Sequence, residues 1–170
     1  MPGQSDLRKK TRRITVSGLL VAVMLVLGYV EHQFPSGSVP GIKLGLSNSV
    51  LIFAVYMLGI PNAFTLMALK VALSGFLFGG VSAMMYAFAG GLLSMIVMSV
   101  LSRVKGAHPV VVSMAGGVAH NAGQVALAMI VMETPKLMYY MVILMGVGMV
   151  CGLLTGVCAD RVMKHLKIKL

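Results

Sequence analysis

The feature that most limits what this chain can fold into is a succession of apolar runs, several approaching or exceeding 18 residues without one acidic side chain inside. In lipid such a run must be helical, because a helix satisfies its own backbone hydrogen bonds where no water can. About 20 residues of helix cross a hydrocarbon core of about 30 Å. A soluble domain would carry about a quarter of its residues as charges; here 11% are charged and 58% are hydrophobic. The chain reads as an all-α integral membrane protein.

The runs divide into six expected spans, at residues 14–30, 44–59, 63–78, 81–101, 110–132 and 137–158. Pro61 and Pro109 punctuate the chain, and Gly79-Gly80 marks a tight turn between the third and fourth spans. Small residues stripe several of these helices: Gly18 and Ala22 on the first, Ala83, Ala87 and Gly91 on the fourth, Gly148, Gly152 and Gly156 on the sixth. Small residues four apart let helix backbones approach closely, so close packing is the expected role of the sixth-span stripe. Cys151 and Cys158 lie about 10 Å apart along one helix, too far for a disulfide, and read as packing residues.

The charges sit where they orient a bundle. Arg8, Lys9, Lys10, Arg12 and Arg13 precede the first span, Arg103 and Lys105 lie in one internal loop, and Arg161, Lys164, Lys167 and Lys169 follow the last span. With six spans these fall on one side, which the positive-inside rule makes the cytoplasm, giving N-in and C-in. The net charge of +10 is thereby accounted for without nucleic acid. The expected organisation is a basic, disordered cytoplasmic tail (1–13), a single six-helix transmembrane domain (14–160) and a second basic tail (161–170). The first apolar run lacks a small-residue cleavage site and reads as a retained span. The bacterial cytoplasmic membrane is the expected location.

Lys70 is the sharpest anomaly, about eight residues or 12 Å of helix from either end of its span. Its stem is too short to snorkel easily, and an intramembrane cation normally faces the bundle interior. His120, Asn121 and Gln124 lie on the fifth span, His120 and Gln124 sharing a face. Asn48 lies in the second. Together with Lys43 at the span edge, these six residues are the candidate substrate-binding set, expected to converge in the outer half of the membrane. Pro40 and Gly41 form a turn that would cap the cavity. Interhelical hydrogen bonding is the plainer reading of any one of these groups. Glu31-His32 reads most simply as an interfacial helix end.

Some activities are excluded. There is no G-x-x-x-x-G-K-[ST] phosphate loop, so the chain is not itself a transport ATPase. Asp6, Glu31, Glu133 and Asp160 are its only acids and are scattered, so they offer no paired carboxylates to hold magnesium on a diphosphate. Neither a metal nor an organic cofactor is expected on this chain, and it is not expected to be an enzyme.

Three motifs carry a resemblance: Pro40-Gly41-Ile42-Lys43-Leu44-Gly45-Leu46-Ser47-Asn48, Gly90-Gly91-Leu92-Leu93-Ser94, and Ala119-His120-Asn121-Ala122-Gly123-Gln124. They resemble the family labelled both Gx transporter and heptaprenyl diphosphate synthase component I. That family is similar to the substrate-binding S components of energy-coupling factor (ECF) transporters. The resemblance implies a six-helix bundle with a ligand near the extracellular face. It also implies a membrane scaffold (T component) and two cytoplasmic ATPases that use ATP. Gly18 and Ala22 would dock that scaffold. The leading expectation is capture of a vitamin-like compound or an isoprenoid or quinone precursor. The alternatives are a non-catalytic membrane subunit associated with prenyl diphosphate synthesis, or a structural partner in a membrane redox complex.

Overall fold

The computed structural model describes residues 4–33 and 45–165. Those residues are almost wholly helical: α1 (Gln4–Gln33), α2 (Leu46–Ser49), α3 (Leu51–Leu58), α4 (Ile60–Ser74), α5 (Gly80–Leu101), α6 (Pro109–Val131) and α7 (Leu137–His165). A wide π turn over Gly75–Gly79 prolongs α4. Four stretches are long and apolar enough to cross a membrane: Asp6–Gln33, Ile60–Leu101, Pro109–Val131 and Leu137–His165. Their outward faces carry large apolar side chains such as Leu19, Val26, Phe76, Val81, Ile130, Val142 and Ile143. Polar residues are buried instead, the inverse of a soluble surface. This is a membrane protein.

The stretch Ile60–Leu101 is not one straight rod. Gly80 has φ +70°, a conformation glycine adopts without the steric cost of a Cβ. A Cβ on Gly75 would lie 2.9 Å from Met84 Sδ, and one on Gly91 would lie 2.9 Å from Met67 Sδ. Pairing of 75 with 84 and of 91 with 67 requires two antiparallel helices hinged at the Gly79-Gly80 turn.

The expected second span differs most. Leu46–Leu58 is broken at Val50 into α2 and α3, and its 13 residues reach only about 20 Å, well short of a bilayer core. The expected count of six spans is therefore not met as stated. The basic N-terminal residues, expected to be disordered, are instead the first turns of α1. No glycine or proline interrupts residues 4–14, and lysine and arginine are good helix formers. Likewise α7 continues through Arg161 and Lys164. Pro61 stands in the first turn of α4, where its missing N–H costs nothing.

Helices α5, α6 and α7 pack as an antiparallel sheet of rods with glycines at the crossings. Gly116 faces Met98 and Gly123 faces the backbone of Ala89 and Gly90. On the other side Gly117 meets the Gly148 carbonyl, Gly152 the Ser113 carbonyl, and Gly156 the backbone of Val110. The stripe on α7 thus packs against α6, as its spacing predicts. The α1, α3 and α4 side fills with Leu, Ile, Val and Met, including the fully buried Met24, Leu51, Ile52 and Met67.

His108 caps α6, its Nδ1 accepting from Val110 N at 3.4 Å, and its Nε2 lies 3.7 Å from Asp160 Oδ1. Asp160 Oδ2 accepts from Lys164 Nζ at 2.7 Å. The basic loop and the end of α7 therefore share one end of the bundle. Gly28 of α1 lies against Phe78 at the opposite end of the α4 rod, which sends the basic start of α1 toward that same end.

Candidate functional site

Lys70, Asn48 and His120, on three different helices, meet in one hydrogen-bonded chain. Lys70 Nζ donates to Asn48 Oδ1 at 3.0 Å, and Asn48 Nδ2 lies 2.6 Å from His120 Nδ1. They are only 3%, 2% and 2% exposed respectively. The chain lies at mid-depth: His120 is eleven residues from each end of α6, and Lys70 is ten from Ile60 and nine from Gly79. Each is thus about 15 Å of helix from either end. The outer-half placement expected from sequence is corrected, because α2 starts level with the middle of α6 rather than at its end.

Two glycine positions on α5 make the meeting possible. A Cβ on Gly90 would stand 2.5 Å from the His120 carbonyl oxygen and 2.7 Å from Nδ1, and one on Gly91 would stand 3.4 Å from Asn48 Nδ2. Any side chain at Gly90 would push the imidazole off Asn48. Sequence reading placed Gly91 in a small-residue stripe and gave Gly90 no role, although both stand in the second resemblance motif. Gly45 is the third such position, with φ +89° and a Cβ that would lie 2.8 Å from His120 Cδ2.

Asn121 and Gln124 form a separate arm. Gln124 Nε2 donates to Asn121 Oδ1 at 2.7 Å, and Asn121 Nδ2 donates to the Leu144 carbonyl, tying α6 to α7. His120 and Gln124 share a face of this continuous helix as expected, and Asn121, expected on the flank, is the residue that pairs with Gln124 one turn away. Gly45 sits between the two arms, its Cβ position also 3.5 Å from Asn121 Oδ1.

Glu31 was the main residue undervalued from sequence. It is 1% exposed, and its carboxylate accepts from Leu46 N at 2.6 Å, Ser47 Oγ at 2.9 Å and Ser47 N at 3.5 Å. It is a buried clamp on the first turn of α2, not an interfacial helix end. A lone acid closing an apolar helix was the available signal; its partners lie fifteen residues on and could not be named.

Pro40, Gly41 and Lys43 lie outside the described residues. Gly18 and Ala22 are exposed on the outward face of α1, with nothing within 4 Å of a Cβ at Gly18. The two cysteines are free, Cys151 buried and Cys158 exposed.

Energetics separate the two arms. A lysine at the centre of a membrane helix costs about 3 kcal/mol by insertion scales. A hydrogen bond between membrane helices returns on average about 0.6 kcal/mol. Asn121 and Gln124 are economical as fastening, while an ammonium at the same depth costs more to bury than a neutral amide.

The family model described as heptaprenyl diphosphate synthase component I matches residues 20–162, a stretch that holds every polar residue of the buried chain and both glycine seams. No curated protein and no solved structure matches the chain.

Proposed function

The chain belongs to the heptaprenyl diphosphate synthase component I family, and from that premise we propose that it is the substrate-binding membrane subunit of an ECF-type importer. The observation that carries this reading is the buried ammonium of Lys70, held by Asn48 next to His120 at the centre of the bundle. A fixed cation with polar neighbours inside an apolar shell is the usual make-up of a small-molecule site. The ligand would be a small organic molecule with an anionic head and an apolar body, such as an isoprenoid or quinone precursor or another vitamin-like compound. Methionine-rich walls, Met67 among them, adapt to such a body.

In this reading the chain spans the membrane with both termini in the cytoplasm, an orientation favoured by the basic residues gathered at one end. The ligand is captured in the bundle, and the whole bundle then reorients, driven by two ATPases acting through a membrane scaffold. The outward Gly18 and Ala22 supply a smooth strip on which that scaffold would dock. ATP is consumed by the partners.

Native mass spectrometry of protein extracted in mild detergent tests this, since retained small molecules and partners appear in one experiment. A retained molecule that disappears in Lys70→Ala and His120→Ala, with the helical fold kept, is the expected result. Equal retention in both variants would remove the site.

The family description itself favours a second reading, a non-catalytic membrane subunit in prenyl diphosphate synthesis. Co-purification with a soluble synthase whose chain elongation depends on this subunit, without any ATPase, would establish it instead.

A further inference from the structure

The two ends of the bundle differ in charge. One end gathers the start of α1, the loop after α5 and the close of α7. It holds five lysines and arginines between Arg8 and Arg13, then Arg103 and Lys105, then Arg161 and Lys164, all of them exposed. Among the described residues, Lys164 is the only lysine or arginine of this end in an ion pair, with Asp160. The α6–α7 turn at the opposite end carries Glu133 and Lys136, which cancel. A field of like charges confined to one end attracts anions from outside the chain.

Depth says which anions. Ile14 opens the apolar part of α1, and Arg13, Arg12 and Arg8 precede it by about 1.5, 3 and 9 Å of helix. The headgroup layer adds about 5–7 Å to each face of the hydrocarbon core. Arg12 and Arg13 therefore stand at phosphate level, and Arg8 lies just past it, within the screening length of about 8 Å. Arg103 follows the last residue of α5 by two positions. Outward apolar side chains are set among these charges: Leu7 is 51%, Ile14 62% and Val104 55% exposed. Cations interleaved with apolar groups suit a surface that lies in the membrane interface. We infer that this end of the bundle is a binding surface for anionic phospholipid headgroups, built by α1 and the α5–α6 loop together. Arg12, Arg13, Arg103 and Lys105 take the phosphates, and Ile14 and Val104 enter the acyl boundary beside them. A protein with an acidic face is the competing occupant, but it would find Arg12 and Arg13 at the level already filled by lipid headgroups.

Native mass spectrometry of the full chain, released from nanodiscs of equal phosphatidylglycerol and phosphatidylcholine, tests this by reading the lipids that stay bound. Phosphatidylglycerol should dominate the adducts, and its excess should shrink when the nanodiscs are prepared at higher salt. Apparent affinity for it should drop about fivefold for each basic side chain removed. Arg12→Gln with Arg13→Gln, and separately Arg103→Gln with Lys105→Gln, should each lower the phosphatidylglycerol excess. Lys136→Gln at the opposite end should leave it unchanged. Should the α1 variant fail to insert or fold, the loop variant carries the test alone. Adducts in the proportion of the nanodisc, or an excess that survives in the loop variant, overturn the inference. So does an equal loss in Lys136→Gln, or an acidic protein that co-purifies on this end and leaves the chain without a lipid preference. None of these outcomes depends on whether a ligand binds at Lys70, so the importer reading stands or falls separately.

Discussion

The two sides of the bundle are held together by different means. On the α5–α6–α7 side, backbone lies on backbone: Gly117 against Gly148, Gly152 against Ser113, Gly123 against Ala89 and Gly90. On the α1–α2–α4 side, the helices meet through long side chains and through buried polar groups, Glu31 on Leu46 and Ser47, Lys70 on Asn48. The first arrangement admits one geometry, since no rotamer can change. The second can be re-formed, since methionine and lysine stems have many rotamers and hydrogen bonds can exchange partners. A rigid plate thus faces an adaptable wall, and His120 on the plate meets Asn48 and Lys70 on the wall.

The largest expected effect breaks the plate. Gly117→Ala or Gly148→Ala would drive a Cβ into the facing carbonyl, so either should cost about 3 kcal/mol through overpacking. The yield of monodisperse folded protein and its thermal midpoint would register this. A midpoint within a degree of the parent would show that the plate is not rigid.

Next comes the wall. Glu31→Ala strands the Leu46 and Ser47 amides and should destabilise by about 2 kcal/mol. Glu31→Gln, which keeps an acceptor, should recover most of it in the same melting experiment. Equal losses in the two variants would mean that charge rather than hydrogen bonding holds α2.

A third substitution should act in the opposite direction. If Lys70 serves a ligand rather than the fold, Lys70→Met should raise stability by about 1 kcal/mol while abolishing ligand retention. Loss of both stability and binding would return Lys70 to a purely structural role. The smallest effect is expected at Gly18→Ala, where a Cβ meets nothing; stability should change by no more than about 0.5 kcal/mol. A change as large as that at Gly117 would place Gly18 in a packed interface.

The parts of this architecture that sequence made legible are those with a local cause. The glycine register at 148, 152 and 156 is periodic on its own, and the Gly79-Gly80 turn is written in adjacent residues. Lys70 and His120 stand out because apolar surroundings make any polar group conspicuous. What was not legible depended on where a segment begins in depth. Hydropathy does not distinguish a helix that crosses the bilayer from one shielded by protein, so Leu46–Leu58 reads as a full span although it starts halfway down. Every depth estimate counted from its start, Asn48's included, was displaced with it. The Glu31 clamp was hidden for a related reason, since its partners are backbone amides that any sequence supplies.

The glycine seam between α6 and α7 has a consequence for how the protein meets membranes of different thickness. A lone helix matches a thinner or thicker bilayer by tilting on its own. Helices whose backbones lie against each other at paired glycines cannot tilt singly without prising the seam open. They must lean together as one slab, so the elastic response to a new lipid environment falls on the remaining helices, and with it on the spacing between Lys70 and His120.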